Sequence, residues 1–258
     1  MKNNTKVALI GHTLPEPAEL DLPKNPMKAK ALLSLHNYTR VVTDENKLID
    51  HVAYLKKKLE IPNKETFSLW EMSLCAGLLL NSMLRRNGIN SRSFNFLSKE
   101  NEGEVLKEIK NFDPDIIGLS TTFILTPKHF IEVTNDLKKK FPKSFIVCGG
   151  HHVFTSLLQM TNKEKKDYLI DSKADCFIND SQGENALLEL VKNINKDISK
   201  IPNLIWKNKN KEVIFNHIHP EENDVNSTLI EFDQLQNPLI AHIRTARSCS
   251  FKCAFCSY

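Results

Sequence analysis

The sequence predicts an α/β protein built around a doubly wound parallel sheet. Short apolar runs such as residues 115–120 and 145–148 end in glycine or polar residues, which is typical of buried parallel strands. Segments with helical periodicity and the length of a crossover helix, such as residues 127–140, lie between these runs. Strands that alternate with helices form βαβ units, and such units place the strands parallel in one sheet.

The first strand is predicted at residues 6–11 and leads into an irregular stretch from His12 to about Met27 that contains four prolines. A first helix is predicted where apolar residues recur at helical spacing, namely at Leu48, Val52, Leu55 and Leu59. A second helix is predicted from about residue 68 to residue 86, where Asn87-Gly88 ends it.

Strands and helices alternate regularly after the second helix. Further strands are predicted at residues 91–96, 115–120, 145–148 and 175–178, and further helices at residues 102–112, 127–140, 153–160 and 184–193. This order of elements predicts five parallel strands in a flavodoxin-like arrangement. Residues 201–206 and 212–215 flank a polar turn and predict a β-hairpin, which a polar linker and a strand at residues 239–243 follow. The predicted organisation is a domain at 1–195, a connector at 196–238 and the start of a second domain at 239–258.

Composition and charge exclude several classes of protein. The 258 residues are 41% hydrophobic and 26% charged, which is ordinary for a globular protein. The net charge of +4 is weak and the lysines are mostly interspersed with acids, so neither nucleic acid nor membrane is an expected partner. No apolar run reaches the roughly 18 residues that span a bilayer, and the N-terminus lacks a signal-peptide pattern. Together with predicted buried free thiols at Cys75, Cys148 and Cys176, these features predict a cytoplasmic protein.

Four segments follow predicted strands at their carboxyl ends, where open α/β sheets bind ligands. Their candidate ligand-contacting residues are Gly11 and His12, then Ser120, Thr121 and Thr122, then Gly149, Gly150, His151 and His152, and finally Gly183 and Glu184. Glycines let a bulky flat ligand approach the backbone, and hydroxyls can bond its polar edge. The last segment opens a helix, where backbone N–H groups point at a ligand. Each segment also has a structural alternative: a tight turn, polar loop histidines or a helix N-cap.

Three cysteines near the end of the sequence form the most specific motif. Cys249, Cys253 and Cys256 have the spacing Cys-x3-Cys-x2-Cys, and Phe255 stands just before the last of them. Thiolates are the usual ligands of iron–sulfur clusters, which normally take four. Three clustered thiolates can hold three irons of a [4Fe–4S] cluster and leave the fourth open. The alternative is a set of structural or incidental thiols.

This motif resembles that of radical S-adenosylmethionine (SAM) enzymes, and the preceding segments resemble the cobalamin-binding domain at the front of many of them. The matching segments are Asp113-Pro-Asp115, the Ser120 to Thr122 turn, the Gly-Gly-x-His turn at residues 149–152, whose histidine matches His152, and Gly183-Glu184. The likeness runs from residue 6 to residue 258 and is weakest at residues 12–67. It implies a [4Fe–4S] cluster, SAM and cobalamin as cofactors, with Phe255 near the SAM adenine.

The resemblance implies the N-terminal portion of a cobalamin-dependent radical SAM methyltransferase that acts on an unactivated carbon. Its partners would be a small-molecule or peptide substrate and an electron donor such as flavodoxin or ferredoxin. A radical SAM enzyme that uses cobalamin for rearrangement or cyclisation, and a non-catalytic cobalamin-binding or relic protein, are the alternatives. The family's barrel follows the cysteine loop, so a chain that stops two residues after Cys256 is expected to carry a truncated radical SAM domain. The missing barrel half, from the same gene or an adjacent frame, would be a further partner.

One family motif is absent. Cobalamin-dependent methionine synthase and mutases carry Asp-x-His-x-x-Gly, whose histidine ligates cobalt, and no such string occurs in this sequence. Asp50 and His51 are adjacent rather than spaced. If cobalamin binds, no histidine of that motif is expected as its lower ligand.

Overall fold

The computed structural model describes residues 5–11, 19–36, 40–60, 75–94, 102–124, 126–227 and 229–234. The chain divides into two compact units, a larger one of Met1–Thr13 with Ser73–Tyr258 and a smaller one of Leu14–Met72. Several predicted features lie outside the described residues. They are His12, the strand at 239–243, and the cysteine motif with Phe255.

The secondary structure follows in chain order. The strands are β1 (Lys6–Ile10), β2 (Glu19–Asp21), β3 (Arg40–Val42), β4 (Lys47–Asp50), β5 (Asn90–Phe94), β6 (Ile116–Ser120), β7 (Phe145–Gly149), β8 (Cys176–Ile178), β9 (Leu204–Lys207) and β10 (Val213–Phe215). The helices are α1 (Pro26–His36), α2 (His51–Leu59), α3 (Cys75–Arg86), α4 (Glu102–Phe112), α5 (Pro127–Lys140), α6 (His151–Gln159), α7 (Asn162–Asp171) and α8 (Glu184–Asn193). Among the described helices, none has the length and apolar character that crossing a bilayer requires.

The larger unit holds a mostly parallel sheet of seven strands in the order β10-β9-β8-β7-β6-β1-β5. The run from β5 to β8 is parallel throughout. Numbered by themselves in chain order, these five strands have the order 2-1-3-4-5, so the predicted flavodoxin-like sheet is confirmed. The predicted hairpin is confirmed as well, because β9 and β10 pair antiparallel. It is not separate from the sheet, since β9 also pairs antiparallel with β8. The domain limits at residues 195 and 238 stay a prediction.

Helices cover both faces of this sheet. On one face, the buried side chains of α3 and α8 join those of the strands in one apolar cluster that includes Leu84, Val147, Leu187 and Leu190. On the other face, the Phe130 ring from α5 lies 5.8 Å, between ring centroids, from the Phe177 ring of β8. Parallel strands buried on both faces read as continuous apolar runs, which is why the sequence pattern identified them.

Two of the three cysteines that the sequence predicts as buried thiols are buried, and Cys75 is not. Cys148 and Cys176 are fully buried and free, and Cys75 is half-buried. Burial is the main cause that raises the pKa of the Cys148 thiol far above its usual value, and the nearby Asp175 carboxylate adds to it. A thiol that stays protonated is a poor nucleophile and a poor metal ligand. Cys148 and Cys176 therefore belong to the core.

The smaller unit differs from the sequence prediction. It contains a three-stranded antiparallel sheet in the order β2-β4-β3, and neither this sheet nor α1 was predicted. Leu48, predicted to be helical, lies on β4, and α2 begins only at His51. The apolar spacing continued across a strand-to-helix junction, so the helical period placed the helix start too early. In the larger unit, α7 was also not predicted.

Candidate ligand-binding site at the strand ends

The turn after β7 contains one glycine that the backbone requires and one that it does not. Gly150 has φ +103° and ψ −175°, a conformation that is essentially restricted to glycine. A Cβ at Gly150 would lie 3.2 Å from the Thr121 backbone N and 3.2 Å from Thr122 Oγ1. A Cβ at Gly149 would instead meet only the Cβ of Ile178, at an ordinary 3.6 Å. Gly150 therefore brings the β7 turn close against the β6 turn.

Thr121 joins the two turns. Its backbone N–H donates to the Gly149 carbonyl at 2.8 Å, and its hydroxyl donates to the same carbonyl at 2.9 Å. The Thr121 hydroxyl also accepts from the backbone N–H of Val153, the third residue of α6, at 3.2 Å. Since Gly150 provides no side chain at the N-cap of α6, Thr121 caps that helix from the neighbouring strand. Thr121 is fully buried, so its role is to hold the site together rather than to touch a ligand.

The solvent-facing part of the site is small and polar. It consists of Ser120, Thr122, Gly149, Gly150 and His151, which are half-buried or exposed, and is called the strand-end surface below. The hydroxyl oxygens of Ser120 and Thr122 lie 3.2 Å apart at its rim. Gly11 does not belong to this surface, because it is buried and its N–H donates to the Phe94 carbonyl at 3.0 Å, extending the ladder between β1 and β5.

His152 lies in the core beside this surface. It occupies the first turn of α6 and is only 7% exposed, so the interpretation of His151 and His152 as loop residues is wrong. Its Nε2 lies 2.8 Å from the Tyr168 hydroxyl, and its ring packs against Phe130. Burial is the main cause that lowers the pKa of His152 below its usual value, and His151 and His129 add to it. The His152 imidazole is therefore neutral at pH 7. Its contacts with Tyr168 and Phe130 attach α6 to α7 and α5.

The turn after β8 is shaped by Gly183. This residue is the N-cap of α8 and has φ +74°. A Cβ there would come within 2.7 Å of Ile178 Cγ2, so only glycine fits. Ile178 is thus the side chain that meets both Gly149, in the strand-end surface, and Gly183, at the start of α8.

The N-terminus of α8 is occupied by the chain itself. The backbone N–H groups of Asn185 and Ala186 donate to Glu221 Oε2 and Oε1, each at 2.8 Å. Glu184 is buried, and its Oε2 accepts from the Asn223 amide at 2.8 Å. The amides that the sequence predicted to point at a ligand therefore bond a side chain from beyond the hairpin. Gly183 and Glu184 shape the edge of the site in this arrangement and leave no free amide pair there.

Sequence reasoning missed the residues that hold this part of the chain. Residues 216–223 are called the return segment below, and residues 217–223 of it fall in the polar linker that the sequence predicts at residues 217–228. Asp180 Oδ2 accepts from the Asn203 amide and from the Glu221 N–H, both at 3.0 Å. Asn203 in turn bonds both backbone groups of His219, at 2.7 and 2.8 Å. Asparagines in a polar stretch are typical of loops and hydrogen-bonding networks alike, so composition gave no signal.

A second asparagine attaches the return segment to the hairpin. The indole N–H of Trp206 donates to Asn216 Oδ1 at 3.0 Å. The Asn216 amide donates to the carbonyls of Ile198 and Ile201 at 2.8 and 2.7 Å. Asn216 is buried, and both its side-chain oxygen and its side-chain nitrogen are hydrogen-bonded within this corner of the fold.

The described residues contain no metal centre. Among them, no group of three or more His, Cys, Asp or Glu side chains is arranged to hold a metal ion. The predicted cluster ligands Cys249, Cys253 and Cys256 lie outside the described part of the chain. The iron–sulfur site therefore stays a prediction from the motif.

Comparison with known proteins gives structural likeness only. No protein-family model and no curated protein matches the sequence. Solved structures similar to this chain include the cobalamin-dependent S-adenosylmethionine radical enzyme OxsB with aqua-cobalamin bound, at 18% identity and a TM-score of 0.45. The structure of OxsB with aqua-cobalamin and S-adenosylmethionine bound has 19% sequence identity to this chain and a TM-score of 0.43. The apo structure of OxsB has 20% identity and a TM-score of 0.45. The first match covers 79% of this chain and 29% of OxsB, so the chain spans less than a third of that protein.

Proposed function

We propose that this chain is the N-terminal portion of a cobalamin-dependent radical SAM enzyme, a methyltransferase that acts on an unactivated carbon. The observation that carries the proposal is the Cys-x3-Cys-x2-Cys motif, with Phe255 inside it, placed after an α/β domain of strand order 2-1-3-4-5. Three thiolates leave one iron of a [4Fe–4S] cluster open, which is the arrangement that SAM binding at the cluster needs. We also propose, as its partners, a small-molecule or peptide substrate, an electron donor such as flavodoxin or ferredoxin, and the rest of the barrel.

Two features of the strand-end surface support its assignment as the place where a large flat cofactor would lie. Gly149 and Gly150 place backbone without side chains at the end of β7, and any side chain at Gly150 would crowd the neighbouring β6 turn. Ser120 and Thr122 present hydroxyls that can bond amide groups at the rim of a corrin. The buried side chains of Thr121 and His152 hold the β6 turn, the β7 turn and the start of α6 in position. When bound, cobalamin supplies methyl-transfer chemistry, and the cluster with SAM supplies one-electron chemistry.

We expect no protein imidazole on the cobalt. The chain lacks Asp-x-His-x-x-Gly, and the His152 ring is buried against Tyr168. His151 is exposed at the strand-end surface and is the residue to check. Electron paramagnetic resonance of bound cob(II)alamin should show no nitrogen splitting from the protein. A nitrogen splitting that disappears in His151→Gln would contradict this expectation.

The proposal is tested by anaerobic reconstitution of the purified chain with iron and sulfide. Wild type should bind iron with the absorbance of an iron–sulfur cluster, and a variant with alanine at Cys249, Cys253 and Cys256 should not. Cys75→Ala is the matched control, because it removes a thiol outside the motif and should leave the iron content unchanged. Equal iron in wild type and the triple variant would refute the cluster. Product analysis with the barrel supplied separates methylation from rearrangement or cyclisation.

A further inference from the structure

The return segment carries a charged attachment to the edge of the candidate site. Both oxygens of the Glu221 carboxylate accept backbone N–H groups of the first turn of α8, each at 2.8 Å. A carboxylate at this position bonds two otherwise unpaired amides and complements the positive end of the helix dipole. Such charge-assisted bonds are about twice as strong as neutral ones. The Glu221 carboxylate therefore stabilises the first turn of α8 and attaches the return segment to it.

Asn223 completes this attachment. Its backbone N–H donates to Gln182 Oε1 at 3.0 Å. Its side-chain amide donates to Glu184 Oε2 at 2.8 Å and to Glu221 Oε2 at 2.7 Å, so it bridges two carboxylates. Its Oδ1 accepts from the Asn185 side chain at 2.6 Å. Glu221 and Asn223, with these partners, are called the latch below.

The chain is attached a second time a few residues later. The Glu231 N–H donates to the Ser82 hydroxyl on α3 at 2.8 Å. Arg85 forms ion pairs with Glu231 at 3.2 Å and with Asp233 at 3.1 Å, and Arg86 donates to the Leu229 carbonyl. Between the latch and these contacts, the chain passes from the start of α8 to the C-terminal half of α3. The described chain is thus attached to the α/β domain at two places before residue 234.

One side chain, that of Ile178, lies between the latch and the strand-end surface. Ile178 meets the Cβ position of Gly149 on one side and that of Gly183, the N-cap of α8, on the other. A shift of the α8 N-terminus would therefore press on the β7 turn. The groups that would hold cobalamin and the groups that direct the chain toward the cluster ligands share this contact.

We propose that the latch is a positioning site: Glu221 and Asn223 fix the first of two attachments of the chain to the α/β domain and thereby help to place the cysteine segment relative to the strand-end surface. This inference rests on the proposed function for the identity of the two cofactors. The latch itself is defined by hydrogen bonds within this chain and can be measured without any cofactor.

Amide hydrogen exchange of the full 258-residue chain tests the latch directly. Glu221→Gln replaces one of the two acceptor oxygens by a donor, so the amides at residues 185–186 and the return segment should exchange on the order of tenfold faster. Glu222→Gln is the matched control, because it removes the same charge from the neighbouring, exposed position. Equal exchange in the two variants would overturn the proposal.

A second variant and a second measurement keep structural and positioning roles apart. Asn223→Ser should speed exchange over the same residues, with any further effect confined to the adjoining β7 turn, whereas faster exchange throughout β1 and β6 in both latch variants would mean a general stabilising role and overturn the proposal. In the loaded protein, the magnetic interaction between reduced cluster and cob(II)alamin reports their separation. It should change in Glu221→Gln and not in Glu222→Gln, and an unchanged interaction would overturn positioning. If wild type binds neither cofactor, the proposed function fails while hydrogen exchange still decides the latch.

Discussion

The conformation of Gly150 gives the sharpest test of the candidate site. We compare Gly150→Ala with Gly149→Ala, two substitutions at adjacent positions that add the same methyl group. Gly150 has φ +103°, a conformation that costs a non-glycine residue about 1–3 kcal/mol. The backbone at Gly149 carries no such restriction, so the pair isolates the conformation and the local space.

The surroundings add to the cost at Gly150. The new Cβ would lie 3.2 Å from the Thr121 backbone N and 3.2 Å from Thr122 Oγ1. The exposed Thr122 side chain can rotate away, but Thr121 is fixed by buried hydrogen bonds and cannot. Crowding of this kind costs about 1 kcal/mol or more, so Gly150→Ala should destabilise the chain by about 2–4 kcal/mol. Gly149→Ala meets only an ordinary contact at 3.6 Å and should lie within about 1 kcal/mol of wild type.

Urea unfolding followed by circular dichroism measures both variants. A shift of the midpoint at constant slope reports a change in the free energy of unfolding. A loss of about 2–4 kcal/mol is a large part of the roughly 5–15 kcal/mol typical of a domain, so the shift should be unmistakable. If the two variants differ by less than about 0.5 kcal/mol, the account of this turn is wrong. A titration with cobalamin on the same samples should show weaker binding by Gly150→Ala.

Two further predictions concern the groups below the strand-end surface. Thr121→Val should cost about 2–3 kcal/mol of unfolding free energy, because it leaves a buried N–H without its acceptor, while Thr122→Val at the exposed position should stay within about 0.5 kcal/mol in the same urea assay. His152 should make stability depend on pH: since burial lowers its pKa in the folded state, the unfolded chain binds the extra proton, and stability falls as the pH drops below about 6.5. The slope, at most about 1.4 kcal/mol per pH unit, should be smaller in His152→Gln, and an unchanged slope would contradict this assignment.

The sheet of the larger unit could be predicted because its strands and helices repeat one pattern. The apolar runs at β6 and β7 are buried on both faces, and helices of similar length separate them. The three-residue strands β2 and β3 have no such pattern, so the small sheet was missed. The start of α7 did carry a readable signal, because Thr161 and Glu164 form a capping box in which each side chain bonds the other residue's backbone.

The sequence identified which residues lie at the candidate site. It did not indicate which of them face solvent and which are buried supports. The glycines and hydroxyls at the ends of β6 and β7 were identified from position alone. Which of them are buried depends on packing across strands, and for that reason Thr121 and His152 could not be separated from their exposed neighbours. The acceptor for the α8 amides comes from Glu221, which lies 35 and 36 residues away in sequence. No local pattern reports a contact at that distance.

The hydrogen bond between Trp206 and Asn216 gives the molecule a built-in optical probe. The sequence contains two tryptophans, so replacing Trp70 by phenylalanine leaves the indole on β9 as the sole tryptophan emitter. Its N–H is held at 3.0 Å by the first residue of the return segment, and its ring is half-buried at the margin of the apolar cluster. Any event that pulls the chain away from the hairpin would expose this ring to water and shift its emission to longer wavelength. Tryptophan fluorescence can therefore report, in real time and without an added label, whether the return segment is bound to the hairpin or has separated from it.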